Sequence, residues 1–256
     1  MHVYITGASS GIGEALVREY ARRGASITMV ARRRALLEKI AADVGGTTRI
    51  VEADLTDMDK ALEPIAAAVE ALGPIDVLIN NAGVQIVGST IKTDWAKAEM
   101  LLRLNVFTPL RLTHHVLPAM VARGKGCIVD ISSMAAIGPT PGMFFYNASK
   151  GALAAASEGL RGELRGTGVH VVTVYPGPVA SPMETAARDA YEPTASAKYA
   201  PMGTPDVLAR LIADAVENKR PRVIYPRTYA LARHFPNMTR WLLDHLTPPI
   251  RALPPG

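Results

Sequence analysis

Tyr146 and Lys150 stand four residues apart, a separation that places both side chains on one face of a helix. An ammonium beside a phenol favours the phenolate and draws the pKa down from the ~10 of a free tyrosine. Such a pair can pass a proton to or from an oxygen near neutral pH, as interconversion of a carbonyl and an alcohol requires. Thirteen residues before Tyr146 is Ser133, preceded by Ser132. Adjacent side chains on a strand point to opposite faces, so only one of these hydroxyls can reach what the tyrosine reaches. A Tyr/Lys pair at this spacing also makes ordinary surface contacts, and the rest of the chain must decide.

A second chemical end lies near the N-terminus. Thr6-Gly7-Ala8-Ser9-Ser10-Gly11-Ile12-Gly13 separates the strand-like Val3-Tyr4-Ile5-Thr6 from a helix-like segment. Glycines there allow a tight turn and let backbone N–H groups approach a pyrophosphate at the positive end of the helix. The spacing is G-x-x-x-G-x-G rather than G-x-G-x-x-G. At the end of the second strand, where a carboxylate would bond the adenosine ribose of NAD, the chain has Ala31-Arg32-Arg33-Arg34. A guanidinium offers a planar fork for the 2′-phosphate of NADP. Arg32 is the expected phosphate ligand with Arg33 assisting, while Arg34 suits a solvated helix start.

Alternating elements must position these residues. Strands are expected at Val3–Thr6, Ile27–Val30, Arg49–Glu52, Ile75–Ile79, Ile128–Ile131, Val169–Val174 and Arg222–Tyr225. Between them, Leu16, Val17, Tyr20 and Ala21 mark one helix face, Leu37, Ile40, Ala41 and Val44 a second, and Leu62, Ile65, Ala66 and Val69 a third. A long helix is expected from about Trp95 to Arg123, another from Asn147, and one around Val207 to Val216. Strict β-α alternation gives a parallel sheet with helices on both faces. The expected fold is α/β, a single-domain doubly wound Rossmann architecture over residues 1–256 with a seven-stranded parallel sheet, and ligands beyond the carboxyl ends of the strands.

The composition is that of an ordinary globular chain, and a net charge of +5 favours anionic partners only modestly. The arginines form short local groups rather than a stripe with interleaved aromatics, so no nucleic-acid partner is expected. Cys127 is the only cysteine. It excludes an internal disulfide and reads as a small buried core residue in Cys127-Ile128-Val129. The first strand starts almost at once, so no signal peptide is expected, and no apolar run approaches the ~20 residues of a membrane span. A cytoplasmic location is expected. No metal-ligand spacing such as H-E-x-x-H occurs, and no metal is expected.

In order and spacing, these segments resemble the short-chain dehydrogenase/reductase family over about residues 3 to 181. TGASSGIG resembles its cofactor loop, and Asn80-Asn81-Ala82-Gly83 its fourth-strand signature. Asn105 in Leu104-Asn105-Val106 resembles the helix asparagine of its catalytic tetrad, and Ile131-Ser132-Ser133 its serine strand. Tyr146-Asn147-Ala148-Ser149-Lys150 matches Y-x-x-x-K, and Pro176-Gly177-Pro178-Val179 the loop after the sixth strand. The resemblance implies that Tyr146 is the acid/base. It implies that Lys150 lowers the tyrosine pKa and holds the nicotinamide ribose, and that Ser133 bonds the substrate oxygen. Asn105 would place a water that relays protons to Lys150. Asp54, in Asp54-Leu55-Thr56, would contact the adenine amino group, or else it is a helix N-terminal acid. The implied cofactor is NADP(H), with NAD(H) a weaker alternative, held by Gly7, Ser9, Ser10, Gly11, Ile12, Gly13, Arg32, Arg33, Asp54, Leu55, Asn81, Ala82, Gly83, Tyr146, Lys150, Pro176, Gly177, Val179 and Ser181. Two departures stand out. Ser10 occupies a position that is often basic in NADP-using members, and Ser181 replaces the threonine that bonds the carboxamide.

On the substrate side, Val84, Gln85, Ile86, Met134, Gly138, Pro139, Pro141, Met143, Phe144, Phe145 and Met183 would make an apolar cleft for a lipophilic ketone, aldehyde or alcohol. Core packing is the competing reading for Phe144 and Phe145. Residues 185–203 resemble the family's substrate lid, and residues 228–256 should form a C-terminal helix and a Pro-rich tail. Its stretch Tyr229 to Leu246 mixes Leu231, Phe235, Trp241, Leu242 and Leu246 with Arg233, His234, Arg240 and His245. A subunit or lid contact is expected of it in preference to a membrane surface, because Pro236 breaks it early and its charges are mixed. A homodimer or homotetramer is expected. The alternative to an enzyme is a non-catalytic dinucleotide-binding regulator or scaffold of the same fold, which would have no need of Tyr146. An epimerase or dehydratase of the extended branch would need a larger substrate domain after Ser181.

Overall fold

The computed structural model describes residues 1–191 and 201–247. Seven strands, β1 (His2–Thr6), β2 (Ser26–Ala31), β3 (Thr48–Glu52), β4 (Val77–Asn80), β5 (Gly126–Ile131), β6 (Val169–Pro176) and β7 (Arg222–Tyr225), form one sheet in the order β3-β2-β1-β4-β5-β6-β7. Every neighbouring pair is parallel, with Val3 opposite both Ile27 and Val77. The winding direction reverses between β1 and β4. That reversal opens a crevice at the carboxyl ends of these two strands, where the glycine turn and Asn81-Ala82-Gly83 emerge.

Alternation along the strands divides the core in two. Val3, Ile5, Ile27 and Met29 pack against Leu16 and Tyr20 of α1 (Gly11–Arg22), Leu37 of α2 (Arg34–Val44) and Ile212 of a later helix at Pro205–Glu217. Tyr4, Leu78 and Ile128 face Ile65 of α3 (Glu63–Leu72), and Leu112 and Met120 of a helix at Thr108–Ala122. Each such buried side chain contributes about 1.5–3 kcal/mol. Cys127 is buried in the first cluster, and burial pushes its thiol far above the ordinary range.

Three sequence expectations shift. The helix expected from Trp95 to Arg123 divides into α4 (Trp95–Leu102), a π turn at Arg103–Phe107, and α5 (Thr108–Ala122). Pro109 has no N–H to return to the carbonyl of Asn105, four residues back, so an α ladder cannot run through this point. On α3 the buried residues are Pro64, Ile65 and Ala68, while Ala66 and Val69 face solvent. Its run of three alanines leaves the apolar face undefined by pattern alone. α6 (Phe144–Glu163) begins three residues earlier than expected, which brings Tyr146 inside its first turn.

After β6 come α7 (Pro182–Asp189), α8 (Pro205–Glu217), α9 (Ala230–His234) and α10 (Pro236–Leu246), the last two divided at Pro236 as expected. The segment expected to be a lid leaves and rejoins the body at one neck. There Val179 bridges Gly203, Ala180 N–H donates to the Gly203 carbonyl at 3.0 Å, and Gly203 N–H donates to that of Pro178 at 2.8 Å. Residues 192–200 of the expected lid and the Pro-rich tail 248–256 lie outside the described residues.

Candidate active site

A cleft of about 1140 Å³ lies over the carboxyl ends of β1, β4, β5 and β6. Except for Gly13 and Asn105, every residue expected to bind cofactor or act in catalysis lines it.

At one end the glycine turn is packed so closely that side chains are excluded. A Cβ at Gly13 would sit 2.1 Å from the Gly7 carbonyl oxygen, and one at Gly7 would sit 2.8 Å from the Ala82 Cα. Gly7 and Gly11 both hold positive φ, at 66° and 58°. Gly13 therefore acts beneath the cleft, letting α1 approach the turn. The turn is clamped to β4 by a residue that pattern reading passed over. The hydroxyl of Thr6 accepts from the N–H groups of Asn81 and Ala82, each at 2.9 Å, and donates to the Ile79 carbonyl. Asn81 Nδ2 donates to the Thr6 carbonyl at 2.9 Å. A hydroxyl ending a strand beside a glycine turn was the available signal.

Both arginines expected at the phosphate line the cleft. Arg33, not Arg32, folds over the turn, and its Nη2 donates to Ser9 Oγ at 2.9 Å and Ser10 Oγ at 2.7 Å. Arg32 lines the cleft across from Asp54. Burial works to raise the Asp54 pKa. The N–H and hydroxyl of Thr56 and the charge of Arg32 outweigh it and hold the carboxyl below its ordinary value. Arg34 pairs with Glu38 on the surface, as a solvated helix start should.

At the other end, β5 and α6 converge. Ser132 donates its hydroxyl to the Lys150 carbonyl at 2.8 Å. Ser133 accepts from Ala135 N–H at 3.1 Å and meets the Tyr146 hydroxyl. Lys150 Nζ donates to the Ile131 carbonyl at 2.8 Å and lies 5.8 Å from the centre of the Tyr146 ring. Burial dominates both groups. It pushes the Tyr146 phenol up to about 12, against the pull of Ser133, and brings the Lys150 ammonium down to about 8, with the Asp130 carboxylate working the other way. Nζ lies beside the ring and is turned to the Ile131 carbonyl, and burial sets the direction of the tyrosine shift. Asp130 itself is fully buried and shifted upward by that burial, with Asn80 Nδ2 donating to it at 2.8 Å.

Asn105 stands behind this group rather than in the cleft. Its Oδ1 accepts from Val84 N–H and its Nδ2 donates to the Val84 carbonyl, each at 2.9 Å, and Nδ2 also reaches Ser149 Oγ at 3.1 Å. The π turn thus ties the loop after β4 to α6. Gly83 is held between these parts, since a Cβ there would meet Asn105 Oδ1 at 3.1 Å and Lys150 Nζ at 3.5 Å. Ser181 lines the cleft and also caps α7, accepting from Glu184 N–H at 3.1 Å.

Of the expected substrate-side residues, Val84, Gln85, Met134, Met143 and Met183 line the cleft. Phe144 and Phe145 do not. Phe145 stacks edge-on with Trp95 at 6.2 Å and Phe144 points largely to solvent. The far wall is one that the sequence left open: Leu242, Leu243, Leu246 and Thr247, at the end of α10, close that side. The helix is docked by Arg240, which donates to the Pro139 carbonyl at 2.8 Å, and by Gly138, where a Cβ would stand 2.8 Å from Leu243 Cδ1. Arg233 of α9 is joined to Glu158 of α6, the carboxylate that also receives Arg161, Arg222 and the Tyr175 hydroxyl. Among the described residues no three His, Cys, Asp or Glu side chains gather as a metal would need, and no helix is long and apolar enough to cross a membrane.

A parallel sheet whose winding reverses above a glycine turn defines the dinucleotide-binding class of α/β oxidoreductase folds. The chain belongs within it to the short-chain dehydrogenase family, whose model matches residues 1–192. A fatty acyl-CoA reductase of Mycobacterium tuberculosis is 38% identical over 188 residues, which cover 71% of this chain and 64% of that protein. A ketoacyl reductase of Nostoc is 33% identical over 225 residues, covering 87% of this chain and 77% of the relative. The solved short-chain dehydrogenase from Sphingobium yanoikuyae in complex with NADPH superposes with a TM-score of 0.81 at 28% identity, over 100% of this chain and 98% of that one.

Proposed function

We propose that this protein is an NADP(H)-dependent oxidoreductase that interconverts a lipophilic ketone or aldehyde and the corresponding alcohol, with Tyr146 as acid/base. The observation that carries the reading is the Tyr146 hydroxyl, buried beside Ser133 in the same cleft as a glycine turn that leaves no room for a side chain at Gly7 or Gly13. Gly7, Gly11 and the N-terminus of α1 would hold the pyrophosphate, Arg33 and Arg32 the 2′-phosphate, and Lys150 the nicotinamide ribose. When bound, the nicotinamide supplies or accepts the hydride.

The chain's own residues manage the proton and the oxygen. A phenol near 12 keeps its proton at neutral pH, which suits donation to a carbonyl oxygen. Ser133 would bond that oxygen as charge develops on it. Asn105 acts as a positioning residue through Val84 and Ser149. The apolar side chains of Val84, Met134, Met143, Met183, Leu242 and Leu243 favour a lipophilic substrate. The acyl-thioester and ketoacyl reductases among the relatives have names in keeping with that class.

The test is a screen of ketones, aldehydes, acyl thioesters and steroids that follows NADPH absorbance, with Tyr146→Phe alongside. Turnover by the parent and none by the variant, with cofactor binding intact in both, is the expected outcome. Near-normal turnover by the variant would remove Tyr146 from the chemistry. Tight NADPH binding without turnover across the whole panel would favour the scaffold alternative.

A further inference from the structure

The helices beyond β7 present two faces. Inward, Leu243 and Leu246 wall the cleft. Outward, Leu231 on α9, Phe235 at the break between the helices, and Met238 and Trp241 three apart on α10 remain 60%, 52%, 50% and 58% exposed. Trp241 stacks on His245, ring centres 4.7 Å apart, which fixes the indole at the outer surface. Leu242 lies at the seam, both lining the cleft and exposed. The apolar stripe therefore continues directly into the cleft wall.

Cations lie on or next to these helices. Arg161, Arg222 and Arg233 share the single carboxylate of Glu158, and Arg240 pairs with Asp244. Arg227, at the start of the segment, has no acidic partner among the described residues. The only acid between Asn218 and Gly256 is Asp244. A second copy of the chain would set this cationic stripe against itself, since a two-fold interface pairs one patch with its own copy. An anionic lipid surface meets both features at once, taking the aromatic and aliphatic side chains at the headgroup boundary and the guanidiniums at the phosphates.

We propose that the outer face of α9 and α10, centred on Phe235, Met238 and Trp241 and bordered by Arg227, seats the protein on an anionic lipid surface with the α10 side of the cleft against it. This revises the expectation of no membrane partner: the inner face of α10 walls the cleft, and the outer face is free for a bilayer. Arrival of substrate through that surface rests on the reading of the site as a lipophilic-carbonyl reductase. Attachment to lipid does not.

The experiment is co-sedimentation of the full chain with phosphatidylcholine vesicles, with and without phosphatidylglycerol, at low and high salt. A Trp95→Phe background leaves Trp241 as the sole tryptophan reporter. Binding to the anionic vesicles alone, a blue shift of Trp241 emission and release by salt are the expected results. Met238→Glu with Trp241→Glu should abolish sedimentation. Arg227→Glu should weaken it about tenfold or more, as surface cations at about 1 kcal/mol each imply. Melting temperature and turnover of a water-soluble carbonyl should be unchanged in both variants. Failure of the wild-type chain to sediment, or equal binding to neutral vesicles, would overturn the proposal. So would a wild-type dimer in sedimentation velocity that Met238→Glu with Trp241→Glu splits, which would assign the stripe to a second copy.

Discussion

Ser132 donates its hydroxyl to the main-chain carbonyl of Lys150 at 2.8 Å, so of two adjacent serines one is committed to holding α6 and the other is left to Tyr146. Ser133→Ala should lower kcat by about 10²–10³, the usual loss for one oxyanion donor, beyond any stability it loses with the cap on Ala135 N–H. Ser132→Ala should act mainly on stability, by about 0.5–1.5 kcal/mol, the net worth of one hydrogen bond, since the Lys150 carbonyl keeps its helical partner. Steady-state kinetics and thermal melts on both variants decide the matter, and the reverse order would exchange their roles.

The Lys150 ammonium, brought down to about 8, should set the alkaline side of the proposed reaction. Carbonyl reduction should hold its kcat/KM below pH 8 and lose it above, as the lysine gives up its charge. Asp130 works to keep that charge, so Asp130→Asn should move the falling limb to lower pH. An unmoved limb in a pH–rate profile would remove Asp130 from the electrostatics of the site.

Arg33 already contacts both serines of the turn, while Arg32 faces Asp54. Arg33→Ala should weaken NADPH about tenfold or more, since hydrogen bonds to charged groups carry about 1.5–3 kcal/mol, and should leave NADH nearly unchanged. Arg32→Ala should have the smaller effect. Cofactor titrations with both nucleotides test this, and equal losses for NADPH and NADH would take Arg33 out of the phosphate site.

Gly13 and Gly159 make a contrasting pair. A Cβ at Gly13 would overlap the Gly7 carbonyl, whereas one at Gly159 within α6 meets nothing within 4 Å. Gly13→Ala should separate α1 from the turn, lowering both stability and cofactor affinity. Gly159→Ala should raise stability by about 0.5–1 kcal/mol through helix propensity. Calorimetry on the two variants reads both signs.

Glu158 lies where α6, β7 and α9 meet. Burial works to raise its pKa, but hydrogen bonds from Arg222, Arg161 and Tyr175 bring the carboxyl down to about 2. A depressed folded pKa contributes stability above the unfolded value of about 4.3, and that contribution is lost as pH falls toward 2. The difference in melting temperature between wild type and Glu158→Gln should be full at pH 6 and shrink between pH 4 and pH 2. A difference that stayed constant over that range would mean that the carboxylate contributes through packing rather than charge.

The central strands were legible because they are buried on both faces and read as apolar runs, Val77 to Ile79 being the plainest. The cleft was legible because its chemistry needs particular atoms at particular distances along the chain, so most of the residues expected to line it do so. What escaped depends on three dimensions. The break at Asn105 was written in Pro109, but helical periodicity continues across it. The choice between Arg32 and Arg33 turns on which side chain folds back over the turn, and neighbouring residues of one type cannot reveal that. The α10 wall depends on Gly138 leaving room for Leu243, a contact across more than a hundred positions.

The neck at Val179 and Gly203 has a consequence for how such a protein can change. Both ends of the segment after Val179 are fastened to each other by backbone bonds, so neither β6 nor α8 feels its length. Closing a loop twice as long adds only about 0.6 kcal/mol. Insertions and deletions can accumulate there, reshaping one side of the cleft, while Tyr146 and Lys150 on α6 and the glycine turn stay where they are. The opposite wall has no such freedom, because α10 is fitted to Gly138 and any change of register would empty it. New recognition would enter by lengthening one border of the cleft and by substitution along the other.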